Sequence, residues 1–217
     1  MEIIHVQNKF IDEFMERFLP KISCRFILMT GQWHLPQLHF EDSRVWQLLD
    51  DSRVHRWFSQ NPVLEHPKYR PFPYGLLYDS LPSYANALLH SIHTVKTKNI
   101  VATPLNRSTH PCRLLFDPMP PLAQDEFYQT ISDAKFVVSP IGDRNDTYRH
   151  YESIGLGAIP IANVSPLYRN IFGENMVYST TEDMVTVLKE NPELSYATPC
   201  RDLVSVEYWT DFLKRNC

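Results

Sequence analysis

The sequence has few glycines, no cluster of basic residues and no long apolar run. Only 6 of its 217 residues are glycine, and 25 acidic side chains outnumber 21 basic ones, which gives a formal charge of −4. Domains that bind nucleic acid are typically basic on one face, so no nucleic-acid partner is expected. No apolar segment approaches the roughly 18 residues that a membrane-spanning helix needs. The sequence therefore predicts a cytoplasmic protein with no membrane span and a small-molecule partner.

Short motifs of metal, thiol and nucleophile chemistry are also missing. The four cysteines are far apart and form no C-x-x-C pair, so neither a zinc site nor a disulfide framework is expected. Asp143 and Asp146 are three residues apart, which is not the Asp-x-Asp spacing of metal-dependent transferases. The chain contains no G-x-S-x-G hydrolase motif and no G-x-G-x-x-G dinucleotide motif. We expect no metal and no cofactor.

The sequence does contain enough apolar side chains for a core, interrupted by many prolines. Hydrophobic residues make up 43 % of the chain, and 17 residues are proline. Five of these prolines fall between residues 61 and 82, a density that disfavours long helices. We expect this segment to connect an N-terminal domain, residues 1–80, to a C-terminal domain, residues 81–217.

Apolar runs alternate with amphipathic segments in both halves. In the C-terminal half the runs predict strands at residues 99–102, 113–116, 135–139, 158–162 and 176–178, with helices among them. The N-terminal half repeats the pattern more faintly, with a helix at 8–19 and strands at 26–29 and 54–58. Continuous apolar strands that alternate with helices are typical of a parallel sheet. The predicted fold class is α/β, with two Rossmann-like halves of which the N-terminal one is reduced.

The most informative stretch is residues 136–161, whose pattern predicts a strand, a polar loop, a helix and a strand. Ligands of open parallel sheets bind beyond the carboxyl ends of the strands, at a switch in strand order. The loop from Ser139 to Asp146 is therefore expected to face a cleft. Asp146 or Thr147 can cap the following helix, whose N-terminus attracts a diphosphate.

Arg149 and Glu152 carry the chemistry expected of this helix. They are three residues apart, share one helix face and are expected to point toward the loop. A guanidinium suits phosphate oxygens, and a carboxylate suits a pair of ribose hydroxyls. The alternative is a solvated ion pair that contributes only about 0.2–0.5 kcal/mol. The surrounding strand, loop and helix favour a nucleoside-diphosphate pocket.

At these residues the sequence resembles the exostosin-like glycosyltransferases. Their donor-binding core has a strand ending in Ser-Pro, a glycine-containing loop, an Arg-x-x-Glu helix and a Gly-x-x-Pro strand. The corresponding residues here are Ser139-Pro140, Gly142, Arg149 to Glu152 and Gly157 to Pro160. The resemblance is good over residues 133–161 and weaker over residues 66–76 and 107–116. It implies two facing Rossmann-like domains of the GT-B type, metal-independent sugar transfer, and donor contacts from Arg149 and Glu152.

Two arginines and one glycine complete the predicted donor site. Arg107 and Arg113 flank a polar loop, where a basic side chain can neutralise a leaving diphosphate in place of a metal. The alternatives are surface charge for Arg107 and a strand-edge role for Arg113. Gly142 is a donor-loop residue or an ordinary turn glycine, whereas Gly155 and Gly157 are expected to end the helix and enter the next strand.

The acceptor side is expected in the N-terminal half. The polar loop of residues 31–36 follows a predicted strand, and His34 within it is a candidate general base. The alternative is a histidine that packs beside Trp33 without a catalytic task. Trp33 itself can stack on an acceptor sugar.

These observations predict a metal-independent glycosyltransferase that moves a sugar from a nucleotide-diphosphate donor to a glycan or other hydroxyl acceptor. Two alternatives stay open. One is a nucleotide- or sugar-binding module without catalysis, and the other is a different nucleotide-sugar enzyme such as an epimerase.

Overall fold

The computed structural model describes residues 1–31, 38–77 and 81–216, and the chain forms two compact units. The first contains Met1–Pro73 and Leu167–Ile171, and the second contains Tyr74–Pro166 and Phe172–Arg215. The boundary between the units thus falls after Pro73, within the proline-rich segment. Among the described residues, no helix is long and apolar enough to cross a membrane.

The first unit is built on a parallel sheet of four strands in the order β1-β2-β3-β4. The strands are β1 (Glu2–Gln7), β2 (Phe26–Gly31), β3 (Val54–Ser59) and β4 (Tyr69–Pro71). Residues 8–21 form a helical run that contains α1 (Ile11–Glu13) and a π-helical turn (Phe14–Phe18), and α2 (Ser43–Asp50) precedes β3. The run is therefore not the regular helix that the spacing of apolar residues predicts.

Two of these strands are not predicted by the sequence pattern, so the expectation of a reduced N-terminal half is wrong in strand number. β1 is the outermost strand, and only Val6 among its side chains is buried, which leaves no apolar run to recognise. β4 ends at Pro71, and proline is tolerated there because β4 is also an edge strand.

The second unit has its own parallel sheet in the order β5-β6-β7-β8. Its strands are β5 (Lys98–Val101), β6 (Ala134–Val138), β7 (Ile159–Ala162) and β8 (Val177–Tyr178). The helices, in chain order, are α3 (Leu81–Ser91), α4 (Gln124–Ser132), α5 (Tyr148–Gly155), α6 (Arg169–Phe172), α7 (Thr181–Glu190) and α8 (Val206–Asn216). The predicted α/β class with two parallel sheets is confirmed.

Side chains on the two faces of the second sheet enter different apolar clusters. Val137 packs with Tyr84 of α3 and Tyr128 of α4, whereas its neighbour Phe136 packs with Met184 of α7. Successive strand residues point to opposite faces, so helices cover this sheet on both sides. Burial on both faces explains why its strands are continuous apolar runs in the sequence.

One predicted strand is a helical turn instead. Residues 113–115 belong to a 3-10 turn, Pro111–Leu115, in which Pro111 fixes the backbone at the start, and Phe116 follows it in an extended conformation. The His110 side chain accepts a hydrogen bond from the Cys112 amide (3.2 Å) and caps the turn. Leu114 and Leu115 are exposed, so an apolar run here does not mark a buried strand.

The strand order also changes the expected location of a ligand. All four strands of the second sheet follow one another in sequence order, so this sheet has no reversal of strand order among its described strands. The rule that places ligands at a switch in strand order therefore does not apply within it. Only the carboxyl edge itself, where the loops after β5 and β6 lie, remains as the predicted position.

Candidate functional site

The carboxyl edge of the second sheet is where β6 passes through a polar loop into α5. Most of α5 is buried, from His150 to its end, and it packs against β7 and the α4 helix. It ends at Gly155, and Gly157, whose φ of +78° allows a sharp turn, leads into β7. This turn confirms the predicted structural role of Gly157. The first turn of α5 lies at the carboxyl edge because α5 follows the loop after β6.

Arg149, in the first turn of α5, has hydrogen-bonding capacity that the protein leaves unused. The half-buried guanidinium lies over the Phe127 ring (5.5 Å from Cζ to the ring centroid) and donates from Nη2 to the Pro104 carbonyl (2.8 Å). Its Nε is buried and has no hydrogen-bond partner among the described residues. Burial lowers the pKa of Arg149 to about 10. An arginine held this way is suited to an anion.

Glu152 lies one turn further along α5 and is 8 % exposed. Its Oε1 accepts a hydrogen bond from the Tyr128 hydroxyl (3.3 Å), and no ion pair within 4.0 Å joins it to Arg149 among the described contacts. Burial raises the pKa of Glu152, against the opposing effects of Arg149 and Tyr128. The structure thus directs Arg149 and Glu152 toward α4, not toward the loop that the helix spacing suggests.

Because Glu152 titrates at a raised pKa in the folded state, we expect Glu152→Gln to stabilise the protein. Between the ordinary pKa of 4.5 and the raised pKa, the folded state binds more protons, so wild-type stability falls as pH rises through this window. The carboxylate penalty is then present at pH 7, and glutamine removes it. We therefore expect Glu152→Gln to have a higher free energy of unfolding than the wild type at pH 7.

Urea unfolding of both proteins at pH 4 and pH 7 measures this gain. Glu190→Gln, an exposed position on α7, is the matched control and should change stability little. A Glu152→Gln variant that is equally or less stable than the wild type at pH 7 contradicts the prediction.

Ser139 and Gly142 lie in the loop after β6. Ser139 is fully buried and its amide donates to the Ile161 carbonyl (2.8 Å), while its hydroxyl has no partner among the described residues. Gly142 is buried against Arg113, where an added Cβ would lie 2.9 Å from Nη2. Glycine thus lets the Arg113 guanidinium approach the backbone closely, and the Ser139 hydroxyl at the strand end has no partner among the described residues.

Arg113 binds backbone oxygens of the protein itself. It is 8 % exposed and donates to the carbonyls of Ile141 (2.8 Å), Pro140 (3.1 Å) and Asn106 (3.3 Å). These bonds fasten the loop after β6 to the segment before the 3-10 turn, which favours a structural role over the predicted phosphate contact. Arg107 donates to the Leu114 carbonyl (3.0 Å), and its buried Nε has no partner among the described residues.

Asp146 and Thr147 do not make the predicted cap of α5. Asp146 is 1 % exposed, and its carboxylate faces the Tyr74 amide (2.9 Å), the Tyr151 hydroxyl (2.5 Å) and His150 Nδ1 (3.0 Å). Thr147 occupies the cap position, but its buried hydroxyl makes no hydrogen bond. The contacts of Asp146 favour a structural role, and at the N-terminus of α5 the Thr147 amide donates to Nδ1 of His150 (3.3 Å).

A residue that sequence reasoning missed lies beside this edge. Thr103 follows β5 directly before Pro104, is fully buried, and has a hydroxyl without a partner among the described residues. It lines a cavity of about 260 Å³ whose walls are mainly apolar, with Asp117 and Lys189 among the lining residues. Its position just after a predicted strand was the available signal, because strand ends of a parallel sheet share one edge.

Trp33 and His34, the predicted acceptor residues, lie outside the described residues. Among the part of the chain that is described, no group of three or more His, Cys, Asp or Glu side chains could hold a metal ion. Metal independence stays a prediction. No family model matches the chain, and no curated protein matches it in sequence.

Proposed function

We propose that this protein is a glycosyltransferase of the GT-B type that binds a nucleotide-sugar donor at the carboxyl edge of the second sheet. The observation that carries the proposal is Arg149, a half-buried arginine with an unpartnered Nε in the first turn of α5. A buried N–H without an acceptor costs free energy, so an arginine with a purely structural role is expected to have an acceptor for each buried N–H. A bound diphosphate supplies the missing acceptors.

The reaction needs stabilisation of charge on the leaving diphosphate. Arg149 and the N-terminus of α5 provide positive charge for its oxygens. Charge on these oxygens grows as the bond to the sugar breaks, so donors set in place stabilise the transition state more than the ground state. In this proposal no metal ion is required.

The remaining buried groups suit the nucleoside. The Glu152 carboxylate can accept hydrogen bonds from ribose hydroxyls, which would compensate for its burial. The mainly apolar cavity beside Thr103 suits the flat face of a base, with the unpartnered hydroxyl available to a polar edge atom. We assign the acceptor, a glycan or another hydroxyl compound, to the first unit, with His34 as candidate base and Trp33 as candidate stacking residue.

Calorimetric titration of the purified chain with UDP, GDP, CDP and ADP, with and without EDTA, tests the donor site. We expect one of them to bind with one site per chain, equally well with chelator, and the matching nucleoside to bind far more weakly. At a hundred times its Kd such a ligand stabilises the fold by about 2.7 kcal/mol. Failure of all four to bind, or binding that EDTA abolishes and manganese restores, contradicts the proposal.

Turnover separates transfer from simple binding. With the matching nucleotide sugars as donors, release of nucleoside diphosphate in the presence of a set of hydroxyl acceptors is expected for a transferase. Binding without any release favours the alternative of a non-catalytic nucleotide- or sugar-binding module. Conversion of the sugar without release of the nucleotide favours an epimerase.

A further inference from the structure

We propose that the first unit binds a free long-chain carboxylate in a cavity beside β1, a site independent of the nucleotide site proposed above. The cavity is a groove that is largely open to solvent, has a volume of about 750 Å³ and is lined by residues of β1 and of the helical run that follows it. Small-molecule sites typically enclose about 300–1,000 Å³. Because β1 is the outermost strand of its sheet, no further described strand of this sheet closes that side.

Apolar side chains line the interior of the cavity. Ile4 and Val6 line it from β1 and Phe14 lines it from the helical run, while Phe10 and Phe18 of the same run lie at its edge. The three phenylalanines are four residues apart, so they lie along one side of the run. The run includes a π-helical turn, in which the Leu19 amide donates to the Phe14 carbonyl. Such turns are rare and occur frequently at functional sites.

The rim of the cavity combines exposed aromatic rings with positive charge. Phe10 and Phe18 are 49 % and 51 % exposed, which is unusual for large apolar side chains grouped together. Lys9 Nζ lies 4.7 Å from the Phe10 ring centroid, and Arg17 Cζ lies 6.0 Å from that of Phe18. Lys21 also lines the cavity. An apolar interior with cations at its mouth suits a hydrocarbon tail with an anionic head.

Acidic residues of the same run neutralise Arg17 but not the two lysines. Glu13 lines the cavity but pairs with Arg17 (2.5 Å), and Asp12 pairs with Arg44 (2.9 Å) outside the lining. Glu16 is exposed and is not among the lining residues. Lys9 and Lys21 have no ion-pair partner among the described residues, so both are available to a carboxylate head. His5 and Gln7 are the other polar residues of the lining.

Calorimetry of the full chain with decanoate and with its uncharged counterpart 1-decanol, both below their aggregation limits, tests this site. We expect decanoate to bind with one site per chain. Phe18→Asp should weaken 1-decanol about tenfold, because it removes apolar surface from the rim, and should weaken decanoate more, because the new carboxylate also repels the head group. Lys21→Glu should weaken decanoate about fivefold and leave 1-decanol unchanged, because only the carboxylate senses the charge.

Phe40→Asp is the matched control, since Phe40 is 60 % exposed in the same unit and does not line the cavity. It should bind decanoate as the wild type does, and circular dichroism should show all three variants folded. Absence of decanoate binding, or binding unchanged in Phe18→Asp, overturns the proposal. So does a Phe18-dependent dimer or Phe18-dependent vesicle binding without capture of free decanoate, which would assign the surface to a second copy or to a membrane.

Discussion

Replacing Arg149 with alanine is expected to weaken donor binding by about 10- to 150-fold, the equivalent of a charge-assisted hydrogen bond worth about 1.5–3 kcal/mol. The buried Nε of the guanidinium has no partner among the described residues, so its N–H can donate to a diphosphate oxygen. The charge on the leaving group grows during transfer, and kcat should therefore fall together with affinity. Donor titration and initial rates measure the two effects.

Three further variants make this result specific. Arg149→Lys keeps the charge but loses the planar fork, so it should lie between the wild type and Arg149→Ala. Glu152→Ala should reduce donor affinity with little change in kcat, because the charge on ribose hydroxyls does not change in the reaction. Arg215→Ala, at an exposed arginine of the same unit, should bind donor normally. If folded Arg149→Ala and Glu152→Ala bind donor as the wild type does, the pocket has been placed on the wrong residues.

Asp146→Ala is expected to lower the free energy of unfolding by about 3–5 kcal/mol, because several buried hydrogen-bonding groups lose their partner, each at a cost of about 1–3 kcal/mol. The carboxylate is 1 % exposed and faces hydrogen-bonding groups of Tyr74, His150 and Tyr151. Its removal leaves the Tyr74 amide and the Tyr151 hydroxyl buried without their acceptor. Urea unfolding followed by circular dichroism measures the loss.

Asp125→Ala is the control for this experiment, because Asp125 is an exposed aspartate of α4 in the same unit. Its replacement is a matched loss of one carboxylate. It should change stability by less than about 0.5 kcal/mol. If Asp146→Ala does not fold, Asp146→Asn keeps one acceptor oxygen and should show a smaller loss. A fully stable Asp146→Ala variant with impaired donor binding would restore the ligand-binding role that the sequence pattern predicts.

The sequence was informative where burial and periodicity coincide. Strands β6 and β7 are covered on both faces and so appear as continuous apolar runs, and α5 follows its loop at the predicted place. The edge strands β1 and β4 are partly exposed, and their mixed composition hides them. The apolar run at 113–116 misled because Pro111 starts a helical turn there and its leucines stay exposed.

For the candidate site, helix spacing shows which side chains share a face, and only tertiary contacts show what that face packs against. The spacing of Arg149 and Glu152 establishes that they share a face of α5. It cannot establish that this face meets α4, because the choice depends on how Phe127 and Tyr128 pack from a distant part of the chain. Asp146 and Arg113 likewise look like ligand-binding groups in sequence, and only the folded chain brings their protein partners to them.

The sequence by itself determined the α/β class, the strand, loop and helix order around residues 136–161, and the identity of the charged side chains near the carboxyl edge. These features follow from the periodicity of neighbouring residues and from the chemistry of single side chains, so they do not depend on contacts between distant parts of the chain. Only the tertiary structure decided which polar groups are already satisfied. Asp146 and Arg113 form hydrogen bonds with other groups of the protein. Arg149, Ser139 and Thr103 each have a buried polar atom without a partner among the described residues. Hydrogen bonds of buried groups join residues far apart in the chain, so folding alone assigns their partners.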